Sequence, residues 1–177
     1  KTGRGNAHVN PNRDRKHGRI YRLVYEANEA KPFTLAKASW KKLVRALGHD
    51  NMFWRLTAQR LLVDGKFKEA VPSLKKLLSE PAPASLHALW ALHGLQALDK
   101  NAHAQCLISK DSALRRNAVR ALPHDLNGQQ MLHDGATLAD KDLLVRLASF
   151  VKLASFPRDG STKDLASLLM RVQENAK

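Results

Sequence analysis

The chain of 177 residues carries a formal net charge of +14, with 44% hydrophobic and 26% charged residues and one cysteine. That length accommodates one domain with a real core, the Leu- and Ala-rich composition favours helices, and a lone Cys106 excludes an intrachain disulfide. No apolar run approaches the roughly 18 residues of a membrane span, and the first residues lack the apolar core of a secretory signal.

Residues 1–31 hold eight Lys and Arg against three acids, so +5 (8 − 3), and residues 32–177 hold the other +9 (14 − 5). The excess is spread along the chain, whereas a nucleic-acid footprint is concentrated on one face. A surface for polyanions and a solubility setting without a specific partner both fit the total.

Residues 1–17, KTGRGNAHVNPNRDRKH, have no periodicity and read as extended loop. From Gly18 to Tyr25 the character changes, with Tyr21, Leu23 and Tyr25 alternating against Ile20 and Val24 in the manner of one β-strand wanting neighbours on both faces. No second strand follows to pair with it, so the sheet of this orphan strand is expected outside the chain, which reads as a fragment beginning at Lys1. Glu26 to Pro32 read as a linker. They divide an extended N-terminal segment, 1–31, from a helical domain, 32–177.

From Leu35 the helical period takes over, with Trp40, Leu43, Val44 and Leu47 on one stripe. Gly48 is expected as the C-cap, Asp50 or Asn51 as the next N-cap, and Trp54, Ala58, Leu61 and Leu62 as an inner face closing at Gly65. The second pair takes Val71, Leu74, Leu77 and Leu78, with Pro72 tolerable only in a first turn. After the break at Pro81-Ala-Pro83, a helix from Ser85 to about Leu98 is apolar on nearly every side and predicts a buried centre. The third pair spans about 102–109 and 112–122, with Leu107, Ile108, Leu114, Ala118, Ala121 and Leu122 as its apolar positions. Pro123, Gly128 and Gly135 predict an irregular or shortened helix that buries Met131, Leu132 and Leu138. The fourth pair closes with 142–156, its apolar stripe read as Leu144, Leu147, Ala148 and Val151, and a last helix is expected over 162–174.

One motif recurs through these helices: an acid or amide, two residues, an apolar residue, arginine, two residues, a small residue. It reads Asn51-x-x-Trp54-Arg55-x-x-Ala58, Asp111-x-x-Leu114-Arg115-x-x-Ala118 and Asp142-x-x-Val145-Arg146-x-x-Ser149. A degenerate copy at Ala84–Trp90 places His87 at the arginine and Trp90 at the small site. Positions 55, 87, 115 and 146 lie 32, 28 and 31 residues apart. A period near thirty with two striped helices per unit predicts an all-α fold, an α-α solenoid of about four helix pairs in which stacked neighbours build one core.

The repeated arginines admit two roles. Their planar forks suit phosphate or carboxylate, so they could form a basic ladder; or each bonds an acid of its own or the neighbouring unit and fixes the stacking. The second is expected, making Arg55, Asp111, Arg115, Asp142 and Arg146 a repeat-stacking motif. His87 and Trp90, where the ladder breaks, mark a possible interaction surface. No His or Cys spacing forms a metal cage, no nucleophile elbow, phosphate loop or spaced carboxylate pair is present, and Cys106 reads as a small hydrophobe. Catalytic, cofactor and metal sites are therefore assigned to none of these residues.

The blocks Asn12-Arg-Asp-Arg-Lys-His-Gly-Arg-Ile-Tyr-Arg22, Phe53-Trp-Arg-Leu-Thr-Ala-Gln-Arg-Leu-Leu62 and Leu86-His-Ala-Leu-Trp-Ala-Leu-His-Gly-Leu95 resemble a family of large extracytoplasmic proteins of planctomycetes, verrucomicrobia and some Bacteroidetes, described as putative membrane-bound dehydrogenases. In these a quinoprotein-like β-propeller is followed by HEAT-like repeats and often a cytochrome c domain. The resemblance implies that residues 1–31 end the propeller, that the rest is the HEAT-like domain, and that catalytic and haem groups lie outside this chain, which has no C-x-x-C-H. It implies an extracytoplasmic, periplasmic or membrane-associated setting without membrane insertion. The expected function is a non-catalytic interaction or scaffold module whose partners are a protein or the neighbouring propeller and cytochrome c domains. The alternative is a nucleic-acid-binding HEAT-repeat protein using a basic concave surface.

Overall fold

The computed structural model describes residues 32–156, so the strand expected at 18–25 and the helix expected at 162–174 lie outside the described residues. The chain divides into two units, Lys1–Thr34 and Leu35–Lys177. Eight α-helices and no strand occupy the described residues: α1 (Trp40–Ala46), α2 (Met52–Asp64), α3 (Val71–Leu77), α4 (Ala84–Gly94), α5 (Lys100–Leu107), α6 (Ser112–Arg120), α7 (Leu126–Asp134) and α8 (Leu143–Ser155).

Most of the helix starts are set by a short polar side chain that satisfies an orphan N–H. Asn51 accepts from Phe53 N–H, Asp99 from Ala102, Asp111 from Ala113, Asp125 from Gly128, and Asp142 from Leu144 and Val145. Pro72 falls in the first turn of α3, where its missing N–H costs nothing. The C-termini of α2 and α4 close alike: Phe67 N–H donates to Leu62 O and Ala97 N–H to Leu92 O, with Lys66 and Gln96 held at φ 50° and 55°. Those left-handed positions are ordinarily glycine's.

Each odd helix packs on the even helix that follows, with the 3-10 turn Thr137–Ala139 mediating much of the α7–α8 contact, and the even helices pack in sequence, α2 on α4, α4 on α6, α6 on α8. The result is an all-α helical-repeat arrangement of four pairs. Ala58, Ala88, Ala91, Ala118 and Ser149 on the even helices have no exposed surface, and small residues there let backbones approach closely. Around them Leu43, Leu47, Leu62, Leu74, Leu89, Leu92, Leu107, Leu114 and Leu132 are fully buried, each worth about 2 kcal/mol relative to exposure.

Several expectations are corrected. α4 ends at Gly94, four residues early, because the Gln96 turn closes it, and Ile108 is 72% exposed beyond the end of α5. The C-cap of α1 is Leu47 rather than Gly48, while α2 closes at Gly65 as expected. Gly65 is needed for space, since a Cβ would lie 2.4 Å from the Phe67 ring. α7 is a regular nine-residue helix, with Met131, Leu132 and Leu138 buried. Gly128 fits its first turn because a Cβ there would meet Pro123 O at 2.0 Å. The largest change is on α8. Leu144, Leu147 and Val151 are 53, 59 and 63% exposed, and the buried face runs instead through Val145, Ser149 and Lys152.

These contacts predict opposite responses to two small substitutions. Gly128→Ala should lower unfolding stability by about 2 kcal/mol, because its methyl meets backbone rather than a movable side chain. Lys66→Gly should raise it by up to about 1 kcal/mol by relieving the left-handed turn. Urea melts of the two variants beside the parent chain measure both.

Candidate functional site

The repeat motif is a turn-closing device. Arg55 Nη1 donates to His49 O (2.6 Å) and Asp50 O (2.7 Å), Arg115 Nη1 to Ser109 O (2.7 Å) and Lys110 O (3.1 Å), and Arg146 Nη1 to Asp140 O (2.6 Å). In these three units the guanidinium reaches back six residues to the carbonyls of the turn between the paired helices. The residue at that turn position contributes a side chain as well: His49 Nδ1, Ser109 Oγ and Asp140 Oδ1 accept the N–H of Asn51, Asp111 and Asp142 respectively. The acids of the motif, Asp111 and Asp142, are thus N-caps rather than partners of their own arginines.

Two arginines also bridge units. Arg115 donates from Nε to Asp140 Oδ2 (2.6 Å) and from Nη2 to Oδ1 (2.7 Å), a bidentate pair with both side chains only 8% exposed. This pair holds the Asp140 carboxyl below, and the Arg115 guanidinium above, its ordinary range. Arg55 Nε donates to His87 Nε2 at 3.3 Å while His87 Nδ1 lies 2.7 Å from Gln59 Oε1. With the lone pair of Nε2 turned to a guanidinium, Nδ1 carries the proton and the ring is neutral. Burial, and then the charge of Arg55, push its pKa down.

Trp90 is half-buried, and its indole N–H donates to Asn117 Oδ1 of the next unit at 3.0 Å. α4 is two residues shorter than α2, so when the helices are aligned from their C-terminal turns Ala88, not Trp90, matches Ala58. Both members of the predicted interaction pair are thus occupied in joining units.

Some functional groups carried weak sequence signals. Asp140 could have been found as the third member of the turn set His49, Ser109 and Asp140. Lys152 stands in an apolar run, and it is only 7% exposed. Its Nζ donates to Leu122 O and lies 3.1 Å from His124 Nε2; desolvation lowers its pKa. His103 is buried with Nε2 2.7 Å from Ala118 O, and desolvation lowers its pKa too. Cys106 is buried and its thiol is pushed up to about 11 by desolvation, which leaves it no thiolate at neutral pH.

What the interior does not use lies on the outer face of the even helices. Counting from each motif arginine, the residues at −2, +1 and +5 are Phe53, Leu56 and Arg60 on α2, Ala113, Arg116 and Arg120 on α6, and Leu144, Leu147 and Val151 on α8. Phe53 and Leu56 are 62 and 46% exposed, so three helices present an apolar, basic, apolar order at equivalent positions. Between α6 and α8 this face holds a groove of about 350 Å³, lined by Arg116, Arg120 and His124 on one side and Leu144, Leu147 and Val151 on the other.

Among the described residues no three His, Cys, Asp or Glu side chains are grouped to hold a metal ion, and no helix is long and apolar enough to cross a membrane. Comparisons with protein-family models, curated proteins and solved structures return no match.

Removing one partner of the bidentate pair leaves a buried charge, so Asp140→Asn should cost about 3 kcal/mol, whereas Asp142→Ala, which loses an N-cap on the surface, should cost clearly less; chemical denaturation separates the two. Acid should act in two steps. His87 and His103 have folded pKa values below the ordinary 6.5, so the unfolded chain takes up protons first and stability falls as pH drops below about 6.5. Asp140 and Asp142, also depressed, add a second loss below about 4. Denaturation midpoints from pH 8 to 3 should show both steps, with the upper one reduced in His87→Gln.

Proposed function

We propose that the helical domain is a non-catalytic interaction module, a HEAT-like scaffold within a larger extracytoplasmic dehydrogenase, that meets its protein partner or neighbouring domain with the outer face of α2, α4, α6 and α8. The observation that carries this reading is the recurrence of large apolar residues in water at equivalent repeat positions, Phe53 and Leu56 on α2 and Leu144, Leu147 and Val151 on α8. Isolated exposed leucines are ordinary, but a face repeated in register is the pattern of an interface. The propeller–HEAT–cytochrome context is supported by the resemblance of residues 12–22, 53–62 and 86–95.

The competing nucleic-acid reading needs a ladder of free arginines. Arg115 is spent on Asp140, and Arg55 and Arg146 on turn carbonyls, which removes the ladder the motif first offered. The spread of the +14 charge along the chain also favours the interaction module.

Two measurements test the proposal. The coding sequence on either side of the chain should specify a β-propeller upstream and a C-x-x-C-H segment downstream. The protein should bind duplex DNA feebly, with an affinity that varies little between about 50 and 200 mM salt; a log–log slope of about −6 or steeper, meaning roughly six or more phosphates neutralised, would give the function to nucleic acid instead.

A further inference from the structure

The groove between α6 and α8 has two unlike walls. Along α8, Leu144, Leu147 and Val151 stand at i, i+3 and i+7, an exposed stripe about 10 Å long at 1.5 Å per residue. Along α6, Arg116 and Arg120 stand one turn apart and line the other wall. Neither arginine pairs with a carboxylate of a described residue, and no Asp or Glu lines the groove. Lys152 at its floor is already bonded to Leu122 O and His124, so the uncommitted charge is that of the two arginines. Arg116 adds a separate sign of a missing acceptor, since its Nε is buried with no hydrogen-bond partner among the described residues.

We infer that this groove takes an acidic amphipathic helix of a protein partner. A helix of about two turns matches the length of the stripe, its leucines lying on Leu144, Leu147 and Val151 and its Glu or Asp flank facing the guanidinium ends of Arg116 and Arg120. Apolar contact supplies the affinity, and the arginines choose the sign of the flank. The chain's own stretch with Leu165, Leu168 and Leu169 is the poorer occupant, because residues 162–174 carry two acids against two basic residues and offer no acidic flank. The inference deepens the interaction-module reading and rests on it.

The test uses the full chain and three labelled synthetic peptides of about two heptads: leucines at helical spacing with Glu flanks, the same peptide with Lys flanks, and a scramble of the Glu peptide with unchanged charge. Fluorescence anisotropy should give saturable binding of the Glu peptide about tenfold or more tighter than its scramble. Leu147→Glu should abolish that advantage, Arg116→Glu with Arg120→Glu should reverse the preference toward the Lys peptide, and Ile108→Glu, at an exposed apolar position after α5 that lies outside the groove, should leave it unchanged. Circular dichroism confirms that each variant is folded. Equal binding of peptide and scramble overturns the inference, as does an unaltered preference after the double charge reversal. If Leu165→Glu with Leu168→Glu is what opens the groove to the probe, the occupant is the chain's own segment and the inference also falls. Failure of the peptides with DNA binding still feeble removes only the groove, whereas displacement of the Glu peptide by duplex DNA at about physiological salt removes the interaction-module reading with it.

Discussion

The stack depends on how the turn inside each helix pair is closed. A helix end leaves carbonyls without intrahelical partners, and in a repeat of short helices those ends recur every thirty residues or so. An arginine one turn into the second helix of a pair reaches back to the carbonyls six and five residues earlier, as Arg55 and Arg115 do, or to the first of them alone, as Arg146 does. A guanidinium suits this position because its donors spread in one plane, so one nitrogen serves the turn while the rest remain for a neighbour. The angle between the helices of a pair and the contact to the next pair are thereby set by the same side chain.

The alternation of partners across the stack follows from that geometry. Where the neighbour supplies Asp140, Arg115 makes a two-point ion pair inside the structure; where it supplies His87, Arg55 meets a neutral imidazole whose other nitrogen is held by Gln59. A carboxylate and a histidine are not equivalent there. The first pairing is lost when a carboxyl whose pKa is held below its ordinary range takes up a proton, the second when an imidazole whose pKa is pushed below its ordinary value does so, so these two of the inter-unit joints have different acid limits within one fold.

Much of this architecture was legible in the residues. The thirty-residue spacing located four pairs, Asn51 was one of two residues read as the start of α2, and the small site located the buried Ala58 and Ala118. The arginines' partners were not legible, because backbone carbonyls leave no mark in a sequence and Asp140 lies outside the motif, visible only when the turns are aligned. The face of α8 was misread for a related reason. Hydrophobic periodicity assigns leucines to the core, but close packing of even helices requires small residues at the contact, and Ser149 with the aliphatic stem of Lys152 fills that side. Gly128 misled too, since it was read as a break in the pattern and instead sits inside α7, where only a residue without Cβ leaves room for Pro123 O.

The division of the basic residues completes the physical picture. Internal pairing leaves the net charge of +14 as it is, but it commits the motif arginines inside the stack, Arg115 to a carboxylate and Arg55 and Arg146 to carbonyl dipoles. Arg116 directly follows Arg115 in sequence, yet the turn of the helix, about 100° per residue, carries it from the inter-unit joint to the outer face. Adjacent arginines thus do opposite work: Arg115 lowers the energy of the folded stack, and Arg116 keeps an unmet donor at the edge of an apolar groove. On α8 the same positions hold Arg146, bonded to the turn, and the exposed Leu147. The bonded position and the outward +1 position are therefore a single residue step apart, so that the +1 position can hold leucine on α2 and α8 and arginine on α6 without disturbing the bonds of the motif arginine.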